Sequence, residues 1–250
     1  MLRTRCQLPD CSKSPTVFHV THWKAGSQWV RAVLNAADPE RVVQGKDSPS
    51  WFFEDPIIPG GIYTPVYATW QQFRKIVPEQ SPERTFVIVR DPRDAAVSWY
   101  FSLRYSHPAG YETVSRTRQM LRGLGKREGM ALVFNDYVRD LVEIQRSWLE
   151  SGSKVFRYED LLADQYGVFR QIFAHCGIDI SDDRLRKIVS RFSFRRCTWW
   201  RLGRENARSH LRKGVVGDWK NHFDSELKRY FKTLYGDALI RAGYEKNLEW

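Results

Sequence analysis

A chain of 250 residues, 42% hydrophobic and 28% charged, carries enough apolar side chain to bury the core of one α/β domain. Forty Lys and Arg against 29 Asp and Glu leave a formal net charge of +11, which favours anionic partners: anionic cofactors, sulfated or phosphorylated products, or nucleic acid. Mean hydropathy is −0.53 and no apolar run approaches the roughly 18 residues of a membrane span, so no transmembrane helix is expected. Met1–Cys6 is polar and lacks the apolar stretch of a signal peptide, which predicts a cytoplasmic protein. The 4 Cys form no metal or disulfide spacing and are expected as free thiols.

Taken in chain order, Thr16–Thr21 has strand character, and Trp29-Val30-Arg31-Ala32-Val33-Leu34 opens a helical pattern. A turn-rich stretch from Asp47 to Gly61 contains three Pro and Gly60-Gly61, and is expected to form a lid or a wall of an acceptor site. A helix is predicted over Ala68–Val77. The continuous apolar run in Arg84–Val89 reads as a buried parallel strand. Further helices are predicted from Arg93, over Ala131–Glu150, and over Asp164–Cys176, with a strand at Lys154–Tyr158 and a basic helix at Arg184–Arg196. Strands alternating with helices predict a single three-layer α/β domain over residues 1–250, with a mostly parallel central sheet. Ligands then belong beyond the carboxyl ends of the strands.

Lys24-Ala25-Gly26-Ser27-Gln28-Trp29 lies between the first strand and the first helix. Backbone N–H groups at a helix N-terminus, a Lys and a hydroxyl together make a P-loop-like anion cradle, whose guest is a phosphate or sulfate. Arg90-Asp91-Pro92-Arg93-Asp94-Ala95-Ala96-Val97-Ser98 places an Arg at a second strand end and a Ser on the following helix. Arg93 is expected to be structural, pairing with Asp91 or Asp94. Tyr158 presents a ring at a third strand end. Arg212-Lys213-Gly214 sets two cations before a Gly that exposes its N–H.

At these residues the chain resembles the sulfotransferases that use 3′-phosphoadenosine 5′-phosphosulfate (PAPS). Lys24–Trp29 resembles that family's Lys-Ser-Gly-Thr-Thr-Trp loop, Arg90–Ser98 resembles its 3′-phosphate motif, and Arg212–Phe223 matches Arg-Lys-Gly-x-x-Gly-Asp-Trp-Lys-Asn-x-Phe at every fixed position. The resemblance implies that Lys24, Gly26, Ser27 and Gln28 hold the 5′-phosphosulfate and that Trp29 packs on adenine. It implies that Arg90, Ser98, Arg212, Lys213 and Gly214 hold the 3′-phosphate, while Tyr158 and Phe194 contact the ring. PAPS would be the donor and adenosine 3′,5′-bisphosphate (PAP) the product, with no metal required.

The implied reaction moves a sulfuryl group in line to a hydroxyl or amine of a small-molecule or glycan acceptor, with Lys24 stabilising the leaving group. Many family members carry a base His between the first two motifs. The corresponding stretch Gly61–Tyr67 has neither His nor Lys. Glu54 is the leading substitute base, with Asp55, His22 and His107 as the others. The rivals are a P-loop-like nucleotide kinase, which would want Lys late in the loop, and a non-enzymatic polyanion-binding protein. Neither a nucleic acid nor a membrane span is expected as part of the function, and a homodimer stands beside a monomer.

Overall fold

The computed structural model describes residues 14–45, 51–79, 81, 83–108, 112–193, 206 and 212–250. Four parallel strands form the sheet: β1 (Thr16–Thr21), β2 (Ile62–Val66), β3 (Glu83–Val89) and β4 (Lys154–Arg157), in the order β2-β1-β3-β4. The chain leaves β1 for one neighbour and then crosses back to the other. The topological switch point therefore lies between the carboxyl ends of β1 and β3, the position where ligands bind in open parallel sheets.

Both faces of the sheet are covered. Along β1, Val17 faces a cluster with helices α1 (Ser27–Ala37), α7 (Tyr158–Ala163), α8 (Gln165–Cys176) and α9 (Asp182–Arg191). Phe18 and Val20 face the opposite cluster, built with Phe52, with Phe73 of α2 (Trp70–Arg74), and with Ile144 and Trp148 of α6 (Arg139–Leu149). This period-2 alternation with apolar residues on both sides is what a central strand requires. A third cluster joins α3 (Pro92–Phe101), α4 (Glu112–Gly123), α5 (Lys126–Val133) and α10 (Ser225–Arg241). No helix among the described residues is long and apolar enough to cross a membrane.

Three elements differ from the sequence expectation for identifiable reasons. β2 contains Pro65 and is not apparent in the sequence, yet Pro is tolerated because β2 is an edge strand. The helix expected over 131–150 starts earlier, at Lys126, and its ladder is interrupted by a π-helical turn at Phe134–Val138 before α6. That turn buries both Phe134 and Val138, so the apolar pattern runs on while the hydrogen bonding changes. The helix expected over 68–77 is only five residues long, opened by a reciprocal Thr69–Gln72 capping box.

The turn-rich stretch is partly core. Phe52 is 2% exposed and packs on Phe18, Tyr63 and Phe73. Ile58 N–H donates to Tyr63 Oη and Gly60 N–H to Thr16 Oγ1, which ties the segment to the amino-terminal end of β1. Cys176 is a buried free thiol.

Trp148 is fully buried and donates Nε1–H to the Ala68 carbonyl at 2.7 Å. Trp148→Ala removes that bond and opens a large cavity, so chemical denaturation should show a loss of about 3–5 kcal/mol.

Candidate active site

The strand β1 ends at Thr21, and the chain turns sharply through the next five residues. Lys24 has φ 68° and Gly26 has φ 83°. A left-handed conformation at a non-glycine residue is strained and marks a position held for function. Gly26 is required for a second reason: a Cβ there would stand 2.9 Å from the ring of Tyr158. Its carbonyl caps the first turn of α1, accepting from Trp29 N at 2.9 Å and Val30 N at 3.1 Å. Among the described residues, the N–H groups of Ala25, Gly26, Ser27 and Gln28 meet no acceptor. They form an anion-binding nest on a helix start.

Arg90 follows β3 directly and reaches across the switch point. Its Nη1 donates to the Lys24 carbonyl at 2.8 Å, and its guanidinium lies 4.4 Å from the centroid of Tyr158. Arg90 is 9% exposed, and its buried Nε has no hydrogen-bond partner among the described residues. The indole Nε1 of Trp29, whose ring meets Tyr158 edge to face at 6.4 Å, is likewise buried without a partner among them. Tyr158 is the first residue of α7 rather than the last of β4. Its ring still sits beneath the loop, because the strand ends one residue earlier.

The third segment is held on by carboxylates. Asp94 of α3 accepts from Gly217 N at 2.7 Å and Trp219 N at 2.9 Å. Ser98 lies four residues further along α3, on the same helix face, and so towards this loop. Asp218 receives Arg212, Lys213 and His222. Burial works against the Asp218 anion, but hydrogen bonds from His222, Lys213, Asn221 and Arg212 hold its carboxyl far below the usual range. Gly214 and Gly217 both take positive φ, 64° and 77°. Arg93 is structural, as expected: it pairs with Asp91 at 2.8 Å and lies against the rings of both Trp219 and Trp250, 4.0 and 4.5 Å from their centroids. Glu159 accepts from Asp91 N at 3.0 Å, joining α7 to α3.

Lys24 thus stands among cations. Burial, and then the charges of Arg90 and Arg212, bring its ammonium down to about 7. Its Nζ lies 5.0 Å over the ring of Trp99, and no carboxylate among the described residues pairs with it. Trp99 in turn is 5.4 Å from the ring of His107 and 5.3 Å from Tyr137. Trp23 stacks on Tyr67 at 4.9 Å, and the Tyr67 hydroxyl donates to Ser27 Oγ at 2.9 Å. One side of the loop is therefore lined by Trp29 and Tyr158, the other by Trp23, Tyr67, Trp99 and His107.

The sequence-named residues Lys24, Gly26, Ser27, Gln28, Trp29, Arg90, Tyr158, Arg212, Lys213 and Gly214 all belong to this one corner of the fold. Phe194 lies outside the described residues. Glu54 is exposed, in the segment that Ile58 and Gly60 tie to Tyr63 and Thr16. His22 is fully buried with both ring nitrogens engaged: Nδ1–H donates to the Trp23 carbonyl at 2.8 Å and Nε2 accepts from Arg90 N at 3.1 Å. Burial chiefly lowers its pKa to about 4, so it is neutral and part of the frame. His107 has Nδ1 3.3 Å from Ser102 Oγ and shares Trp99 with Lys24. Sequence reasoning assigned no role to Asp218 or Tyr67, and offered Asp94 only as a partner for Arg93, whereas Asp94 binds the backbone of Gly217 and Trp219. Asp94 and Asp218 lie inside the cationic motifs, and their signal is an acid beside so many cations.

Residues 68–243 match a family model described as a sulfotransferase domain. A guinea-pig (Cavia porcellus) 3-alpha-hydroxysteroid sulfotransferase is 26% identical over 271 residues, covering 94% of this chain and 87% of that protein. Among solved structures, mouse sulfotransferase SULT7A1 complexed with PAP superposes with a TM-score of 0.66 at 21% identity, covering 94% of this chain and 90% of that one. Retinol dehydratase in complex with androsterone and inactive cofactor PAP gives 0.59 at 14% identity, covering 93% of this chain and 82% of that one. The last two likenesses are of fold.

The Lys24 ammonium should titrate near pH 7 in the folded protein against the usual 10.5. The cation's burden on the fold is full below pH 7 and is relieved as pH rises towards 10.5, because the unfolded chain then binds the extra proton. NMR titration of isotope-labelled lysines should show one midpoint near 7, absent in Lys24→Arg and raised by inorganic sulfate. A spectrum in which every lysine titrates near its usual value would contradict this picture of the site.

Proposed function

Since the chain belongs to the sulfotransferase domain family, we propose that the Lys24–Trp29 cradle holds the phosphosulfate of PAPS and that Arg90, Ser98 and Arg212–Gly214 hold its 3′-phosphate. The chain is a sulfotransferase. Bound PAPS supplies a sulfuryl group to an acceptor nucleophile and leaves as PAP. The meeting of Lys24, Arg90 and Arg212 at the switch point carries the assignment: among the described residues only Arg212 has a carboxylate at ion-pair distance, Asp218, and the buried Arg90 Nε has no hydrogen-bond partner. Like charges so placed repel one another, and an anion converts that repulsion into attraction. Two cationic groups flanking the rings of Trp29 and Tyr158 suit an adenosine that carries anions at both ends. The PAP named with the mouse structure supports the same reading.

Catalysis in this scheme is positioning and charge stabilisation. The free N–H groups of residues 25–28 and the Ser27 hydroxyl orient the anion, while Lys24 meets the charge that grows on the departing oxygen. Its lowered proton affinity in the free site matters here, because a bound anion restores the ammonium form. His107 is the proposed base in preference to Glu54. It shares the Trp99 wall with Lys24. The aromatic lining from Trp23, Tyr67, Trp99 and Tyr137 favours a hydroxyl on an apolar scaffold over a glycan, in keeping with the steroid named for the guinea-pig relative. We read all 250 residues as one domain serving this one site.

Adenosine 3′,5′-bisphosphate should raise the melting temperature selectively over ATP–Mg²⁺ or DNA. An equal response to all three would point to a non-specific basic surface. With an acceptor found by mass gain of one sulfuryl group from labelled PAPS, Lys24→Ala should lower turnover about 10²–10³-fold, the scale of losing one oxyanion donor. His107→Gln should lower turnover by about 10²-fold or more, with bisphosphate affinity unchanged. Near-native turnover in either variant removes that residue from the mechanism.

A further inference from the structure

Tyr67 leaves the carboxyl end of β2 beside the loop, because β2 runs parallel to β1 with Val66 opposite Val20. Its ring is nearly parallel to that of Trp23, at 4.9 Å and 14°, which leaves the phenol little rotational freedom. The hydroxyl then donates to Ser27 Oγ at 2.9 Å. Burial raises the Tyr67 pKa above its ordinary value, so at neutral pH the phenol is a donor and not a base.

We propose that Tyr67 is a positioning residue for sulfuryl transfer: by donating to Ser27 Oγ it compels the Ser27 hydroxyl to direct its own proton into the anion cradle. A serine hydroxyl has one proton and two acceptor lone pairs. With one lone pair occupied by Tyr67, the Ser27 proton must point elsewhere. Serines near helix starts commonly turn the oxygen onto backbone N–H groups, but here Gly26 is the N-cap and makes no side-chain bond. Ser27 is 8% exposed, and Tyr67 is the hydrogen-bond partner of its hydroxyl. The open direction is the nest made by the N–H groups of residues 25–28. A chain from phenol to hydroxyl to anion also polarises each bond in turn, strengthening the contact to the anion. Tyr67 sits in the stretch where neither His nor Lys was available, and it acts through Ser27 rather than on the acceptor.

The inference rests on the phosphosulfate reading of the cradle. A double-mutant cycle read by calorimetric affinity for adenosine 3′,5′-bisphosphate separates the two. Tyr67→Phe keeps the stacked ring and removes the donor. It should weaken bisphosphate binding about 5-fold, and Ser27→Ala about 10-fold or more, the range for hydrogen bonds to charged groups. The double variant should bind no more weakly than Ser27→Ala alone, whereas Ser27→Thr, which keeps a hydroxyl, should retain sensitivity to Tyr67→Phe. All variants should melt with the wild type in the absence of ligand. Equal losses from Tyr67→Phe in the Ser27 and Ser27→Ala backgrounds, or no loss in the first, would overturn the role of Tyr67 while the cradle stands. Failure of the wild type to bind the bisphosphate would overturn both.

Discussion

Three positive side chains converge on the seam between β1 and β3, and most of the surrounding structure serves to hold them there. Lys24, Arg90 and Arg212 come from three distant parts of the chain, and burial first, then repulsion from the two guanidiniums, lowers the proton affinity of Lys24. Repulsion of this kind is tolerable only where the backbone is tightly fixed. Arg90 is fixed by the Lys24 carbonyl and by the ring of Tyr158, and Lys24 by a left-handed turn that Gly26 closes. The strain at Lys24 and the crowding at Gly26 are the local consequences of bringing charge together at a helix start.

Carboxylates do the holding, and of the three cations only Arg212 is in an ion pair among the described residues. Asp94 spends both oxygens on the backbone N–H groups of Gly217 and Trp219, so it positions the third segment instead of pairing with a cation at hydrogen-bond distance. Asp218 gathers Arg212, Lys213, Asn221 and His222, which orders a short loop into a rigid block. Glu159 is joined to Asp91 N and to the Tyr244 hydroxyl, tying the C-terminal segment to the same helix start. In the proposed function this frame matters because sulfuryl transfer gains from positioning more than from any single strong bond. A rotation of one of these loops would move two or more anion contacts at once.

The legible part of the molecule was the part written in local pattern. Thr16–Thr21 is rich in β-branched and aromatic residues and is followed by a Gly turn, so β1, the loop and α1 could be read together. The three cationic motifs are contiguous in sequence and stood out for the same reason. β2 was hidden by Pro65, which propensity assigns to turns and which only an edge position permits. The helix ladder's interruption at Phe134–Val138 was hidden because an unbroken apolar face says nothing about which carbonyl each N–H meets. The supporting bonds are invisible at the level of pattern: Asp94 and Gly217 are 123 residues apart, and Tyr67 and Ser27 are 40 apart. Glu54 was favoured as a base because acids near a motif are good candidates in a linear reading.

The two sides of the cradle differ in chemistry, and the difference follows from what each must hold. On the side of Trp29 and Tyr158, rings alternate with guanidiniums and exposed N–H groups, a surface that accommodates planes and charges together. On the side of Trp23, Tyr67, Trp99 and Tyr137, rings predominate, and the two phenol hydroxyls are engaged: Tyr67 with Ser27, and Tyr137 with Thr117 at 2.7 Å. An apolar wall beside Lys24 excludes water from the ammonium, which weakens its hold on a proton until an anion arrives. The same wall would receive an uncharged nucleophile without competing for the anion. Trp99 belongs to both arrangements, since it touches Lys24 on one side and His107 on the other. In the proposed function, donor and acceptor binding would therefore be coupled through one indole ring, and a change in its packing would disturb Lys24 together with His107.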